Sequence, residues 1–160
     1  MAAFTSIQAA AYIGGISSTL LSGINFSASQ LTLPILYRLP AESSTSIFEE
    51  LFYRGGWTIV PLTLFSTFCT GTAAYLEPTK RSGYAAAAFA SFASLPWTAV
   101  IMRPTIQQLI KLANDERYRQ KVEAKEVVSL LKKWTWMNNV RSALALLGGA
   151  AGLAVLLGNL

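Results

Sequence analysis

Four long stretches of the chain carry no charged residue: 1–37, 55–76, 82–102 and 142–160. Each is at least as long as the roughly 18 to 20 apolar residues a helix needs to cross a ~30 Å hydrocarbon core, so the pattern predicts four membrane spans. Lipid offers the backbone no hydrogen-bond partner. That leaves helices or a closed barrel, and uncharged runs of this length lack the ~10-residue alternating segments of barrel strands. The expected fold is all-α, an integral membrane four-helix bundle in one domain over 1–160, with spans at about 8–36, 57–76, 84–102 and 140–158.

The polar interruptions predict how the spans connect. Span one places Gly15, Thr19 and Gly23 four apart, with Gly14, Ser18 and Ser22 beside them, a small-residue face for close helix contact. Ser46-Ile47-Phe48-Glu49 reads as a capping box opening a short interfacial helix, which Gly55-Gly56 interrupts before span two begins near Trp57. Glu77-Pro78-Thr79-Lys80-Arg81-Ser82-Gly83 reads as a turn, and Pro96 predicts a kink in span three. Between spans three and four, Ile106, Leu109, Ile110 and Ala113 keep helical spacing, as do Val127, Val128, Leu130, Leu131 and Trp134. Both spans should therefore extend as helices beyond the bilayer, joined by the charged stretch from Asp115 to Lys125 within a polar cytoplasmic elbow at about 103–135.

Charge adds an orientation. The first connection holds Arg38 and Arg54 and the third holds nine more basic residues, against Lys80 and Arg81 alone in the second. The basic excess marks the first and third connections as cytoplasmic, so both termini should be lumenal or external. This asymmetry accounts for the net charge of +5 without nucleic acid, and membrane lipid is the expected surface partner. The uncharged N-terminal stretch lacks the basic region of a secretory signal and reads as a retained span in a multi-pass endomembrane protein. Ala2 and the closing Gly158-Asn159-Leu160 offer no lipidation signal. With no His and a single cysteine, Cys69, the spans supply no ligand set for a metal centre and no disulfide. Cys69 reads as a small apolar packing residue.

Candidate chemistry gathers on span four. Trp134, Asn138 and Arg141 are four and three apart, hence on one helical face, and the same face continues through Ala145, Gly148 and Gly152. Two readings stay open. Arg141 faces the bundle interior as a functional cation above a groove of small residues, which admits a neighbouring helix or a flat ligand. Alternatively Arg141 snorkels to the headgroups, with Trp134 and Trp136 as interfacial anchors beside Trp57. On span three, Thr98, Met102 and Thr105 share a face around Pro104 and could meet the trio at one depth, or they are packing residues with back-bonded hydroxyls.

Ser22-Gly23 with Ser27, Ser29 and Pro34, then Pro61 and Ala74-Tyr75, then Pro96-Trp97-Thr98 with Met102 and Pro104, then Trp134 to Arg141 together resemble the small membrane anthrone oxygenases of fungal polyketide pathways. The resemblance runs through nearly the whole chain. Asn138 and Arg141 match that family's Asn-x-x-Arg pattern, whereas Thr105 stands where Asn is expected after Pro104. Such enzymes convert a tricyclic anthrone to an anthraquinone with O2 and no evident metal or flavin. The resemblance implies an oxygenase in which Arg141 and Asn138 are catalytic and Trp134, Trp97, Thr98, Met102 and Thr105 bind substrate. The cofactor expectation is none, with O2 as co-substrate. An anthrone that loses a proton becomes an electron-rich oxyanion able to react with O2, and Arg141 is the fixed cation suited to stabilising it. For the base, Glu77, Asp115, a tyrosine and solvent all stay open.

Two other classes were weighed. A four-span scaffold anchoring a partner enzyme would show the same small-residue faces but would not need Arg141 to point inward. A channel or transporter is disfavoured because no ionisable residue stands deep in a span. Neither the native anthrone nor the oligomeric state is written in the chain, and a homo-oligomer stays open.

Overall fold

Thr5 opens the first helix with both halves of a capping box. Its hydroxyl accepts from the Gln8 backbone N–H at 3.2 Å, while Gln8 Oε1 accepts from the Thr5 N–H at 3.0 Å. The computed structural model describes residues 5–158; Ala2, Asn159 and Leu160, where no lipidation signal is expected, lie outside them. Four helices are long and apolar enough to cross a membrane: Ser6–Leu36, Ala41–Leu76, Pro78–Asn114 and Ala124–Leu156. No strand occurs among the described residues. The four-helix bundle expected from the uncharged stretches is what forms, and the helices pack in a ring in which spans one and three each touch spans two and four. Connections are short, as antiparallel neighbours require.

One local expectation is corrected. Span two is not interrupted at Gly55-Gly56: one helix runs from Ala41 to Leu76, so Ser46 lies mid-helix and caps nothing. Two glycines cost a helix about 1 kcal/mol each in water. A break within an apolar environment would leave several backbone groups unpaired at several kcal/mol each, so continuity wins. In span three the regular pattern fails at Ala93, three residues before Pro96, between Arg81–Phe92 and Ser94–Trp97. The Pro96 ring crowds the carbonyl four residues back, that of Phe92, where the first segment ends. Helix also continues on either side of the charged stretch, as expected. Helix covers 103–114 and 124–135, leaving only 115–123, itself holding a helical turn at Glu116–Arg119.

The two ends of the bundle are built differently. At one end Leu33, Leu36, Phe48, Met102, Ile106, Leu109, Leu131 and Trp134 form a core of large side chains drawn from all four helices. Midway, small residues let the backbones approach. Ser18 Oγ donates to Ala145 O at 2.8 Å; having one hydrogen, it must accept at 2.7 Å from Ser91 Oγ. Ser142 Oγ likewise donates to Ser22 O at 2.9 Å and accepts from Ser22 Oγ at 3.0 Å. Ser66 Oγ donates to Gly14 O at 2.8 Å, joining span two to span one. The groove below Arg141 is thus filled by neighbouring helices, with Ala87 and Ser91 of span three against Gly148 and Thr70 of span two against Gly152. Gly23 is the exception in the small-residue face: it is exposed, and no atom lies within 4 Å of where its Cβ would be.

Candidate functional site

On span one, Ser18, Ser22, Asn25 and Ser29 recur at intervals of four, three and four, so one helical face carries a polar stripe, and all four are buried. Span four answers with Trp134, Asn138, Arg141, Ser142 and Ala145, all buried. Arg141 is 7% exposed and does not snorkel. Its Nη2 donates to Asn25 Oδ1 at 2.6 Å and its Nη1 to Thr98 Oγ1 at 3.2 Å, while Thr98 passes its own hydrogen to Ser94 O at 2.8 Å. Asn138 Nδ2 donates to the Asn25 backbone O at 2.7 Å and to Ser29 Oγ at 2.8 Å. Three spans thus converge on one guanidinium. Among the described residues no carboxylate pairs with it, and the groups it touches are neutral.

Two π-helical turns flank this cluster, Ala28–Thr32 on span one and Thr98–Met102 on span three. Pro34 and Pro104 lie two residues beyond them, and each proline withholds an N–H from the carbonyl four residues earlier, within the π turn. The wider turns place Ser29 and Thr98 toward the bundle interior, the setting in which such bulges commonly serve function.

A cavity of about 250 Å³ adjoins the cluster. Its polar end is made by Asn25, Thr98, Ser94 and Arg141, and Trp134 stands on the wall, 4% exposed, meeting Phe48 edge to face at 5.3 Å. The remaining wall is apolar, with Ile24, Leu51, Phe52, Ile59 and Leu95 among it, and Gly55 and Gly56 leave space where side chains would stand. This is just below the ~300 Å³ at which small-molecule sites commonly begin, and it has their character, apolar walls with a few convergent polar groups. Among the described residues five buried side-chain polar atoms lack a protein partner. Three are donors of residues that line the cavity: Asn25 Nδ2, Trp134 Nε1 and Arg141 Nε. A ligand that satisfies them must bring acceptors, and one that balances the guanidinium must bring negative charge.

Of the residues singled out from the sequence, Arg141, Trp134 and Thr98 share this cavity. Asn138 stands behind it, fully buried, holding span one to span four. Trp97 is elsewhere: its Nε1 donates to Met137 O at 3.1 Å. Met102 belongs to the large apolar core and Thr105 is buried in the helix beyond it. Trp134 is not an interfacial anchor, whereas Trp57 and Trp136 are 85% and 62% exposed, as anchors are. Neither candidate base is near. Glu77 lies seventeen residues beyond the last cavity residue of span two and Asp115 sixteen beyond that of span three, roughly 25 Å along either helix. Asn25 was missed, although an Asn within an uncharged span, in register with Ser22 and Ser29, is the kind of signal that points inward.

The sequence model of the family described as anthrone oxygenase matches residues 48–151, which hold most of the cavity wall but not span one. Three fungal proteins are similar over most of the chain. Anthrone oxygenase AgnL2 of Paecilomyces divaricatus is 28% identical, the match covering 92% of this chain and 93% of that one. Anthrone oxygenase nsrD of Aspergillus novofumigatus is 29% identical over 91% of each. A noranthrone monooxygenase of Aspergillus flavus is 24% identical over 89% of this chain and 70% of its own. No solved structure matches.

Proposed function

Because the chain belongs to the anthrone oxygenase family, we propose that it oxidises a polyketide-derived anthrone to the anthraquinone with O2, using neither metal nor flavin. The observation that carries this reading is Arg141: a buried guanidinium without a carboxylate partner among the described residues, at the polar end of an otherwise apolar cavity. An anthrone offers what that cavity lacks. Loss of a proton from its methylene carbon puts negative charge on the carbonyl oxygen, and Arg141 in a dry site stabilises this oxyanion far more than water-exposed cations could. The electron-rich ring then reacts with O2 at the former methylene carbon. One oxygen atom becomes the second carbonyl and the other leaves as water, so the substrate supplies all the electrons required.

The side chains divide the work. Trp134 supplies a flat wall, Thr98 fixes one Arg141 nitrogen, and Asn138 holds the Asn25 backbone where Arg141 needs it. With Glu77 and Asp115 far along their helices, the proton passes to solvent, aided by the lowered basicity of a carbonyl oxygen already paired with Arg141. The reading is tested by adding an anthrone to detergent-purified protein alone and following quinone absorbance. Turnover is expected; a scaffold would give none.

Metal and flavin independence rests on the absence of His and the single Cys69. Preparations with full activity are expected to carry far less than one metal per chain and no flavin spectrum, and to keep their rate in chelator. A near-stoichiometric metal or flavin that tracks activity would sink this part of the proposal. For orientation, the basic excess puts 103–133 in the cytosol and the termini in the lumen of an endomembrane. Protease added to sealed microsomes is then expected to cut within 115–123, the short non-spanning connection, and spare a C-terminal tag. A digested tag with this connection intact reverses the assignment.

A further inference from the structure

We propose that Asn25 is a ligand-binding residue whose side-chain amide donates a hydrogen bond to an oxygen of the aromatic ligand, beside the Arg141 guanidinium. This rests on the cavity being the anthrone site.

Chemistry alone decides which way the amide points. A guanidinium only donates, so the Asn25 atom 2.6 Å from Arg141 Nη2 has to be the oxygen. The nitrogen, with two hydrogens, is therefore turned away from Arg141. Asn25 is fully buried, lines the cavity, and its Nδ2 has no partner among the described residues. Leaving a buried amide donor unpaired is costly, so the position is explained by a ligand acceptor that pairs with it. Its backbone is held independently, because the Asn25 carbonyl accepts from Asn138 at 2.7 Å. Arg141 Nε, on the same wall, is also unpartnered. Both are donors that only an acceptor can satisfy, and selectivity follows: a flat tricycle with a carbonyl is held, and its hydrocarbon counterpart leaves the amide bare.

The test compares anthraquinone with anthracene, which share three rings and differ by the carbonyl oxygens. Binding to protein in nanodiscs is read by tryptophan fluorescence, without turnover. Wild type is expected to prefer anthraquinone, and Asn25→Ala to lower that preference about 10-fold, the effect of one lost hydrogen bond to a buried group. A further but smaller drop is expected when Asn25→Ala is made in an Arg141→Ala background, because the amide acts on the ligand directly although its orientation is no longer fixed by the guanidinium. Asn25→Asp keeps an oxygen for Arg141 but removes the donor. It is expected to fold at least as well as wild type and to lose the preference too, which decides the matter if Asn25→Ala does not fold. An undiminished preference in Asn25→Asp, or no further drop in the Arg141→Ala background, would reduce Asn25 to a tether for Arg141. No preference in wild type itself would instead overturn the assignment of this cavity as the anthrone site.

Discussion

Arg141→Ala is expected to lower the rate of anthrone oxidation by roughly 100- to 1,000-fold, the ~2.7 to 4 kcal/mol typical of losing one preorganised oxyanion donor. Both nitrogens that contact protein go to neutral oxygens, Asn25 Oδ1 and Thr98 Oγ1, so nothing among the described residues neutralises the charge it removes. The effect should therefore fall mainly on transition-state charge, with kcat and kcat/KM dropping together. Arg141→Lys is expected to recover only part. An ammonium is a point charge and cannot address Asn25, Thr98 and a ligand oxygen from one planar fork. Membrane abundance should be similar in both variants, because ten of eleven basic residues still mark the cytoplasmic side after the alanine substitution. Rates within a few-fold of wild type for both, at equal abundance, would falsify the oxyanion role.

The helical bundle was legible because lipid leaves a long uncharged run so few alternatives. What sequence reasoning misjudged were positions where habits learned in water were applied to a membrane helix. Gly55-Gly56 read as a break, yet the helix passes through and the missing side chains open the cavity wall instead. Trp134 read equally as anchor or ligand face, and only packing against Phe48 decides for the interior. The inward turn of Arg141 depended on Asn25, a contact across 116 positions of sequence that spacing on span four cannot express. The π turns were likewise hidden. Pro34 and Pro104 were visible, but whether a proline kinks a helix or widens one turn depends on which neighbouring groups take up the freed carbonyl. Thr98 and Met102 were placed on one face by counting 3.6 residues per turn, and the π turn between them breaks that count. Thr98 meets Arg141 while Met102 enters the core.

Gly149→Val is expected to cost the protein its fold, with a markedly lower unfolding midpoint and little folded material in detergent. A Cβ at Gly149 would collide with Thr19 Oγ1 and stand 2.8 Å from Gly15 O and 2.9 Å from Thr19 N. Two of these are backbone atoms of span one, so no rotamer change relieves the contact and the helices must separate. In soluble cores such overpacking costs about 1 to 3 kcal/mol. Here the loss should lie at or above that range, because membrane helices associate through close van der Waals contact and hydrogen bonds, without hydrophobic drive. Separating spans one and four also strains, about two turns away, the Ser142 to Ser22 bond and the adjacent 2.6 Å contact between Arg141 and Asn25. Molecules that do fold should therefore be slower as well as fewer. Gly148 makes the matching contact with span three, 2.9 Å from Ala87 O and from Ser91 N, so Gly148→Val should be comparably damaging from the other side. Gly23→Val, made on the same small-residue face of span one where no atom lies within 4 Å, is the control and should leave the midpoint nearly unchanged. Titration with denaturing detergent, followed by tryptophan fluorescence, measures all three; equal midpoints for Gly149→Val and Gly23→Val would show that span one does not sit against span four at this depth.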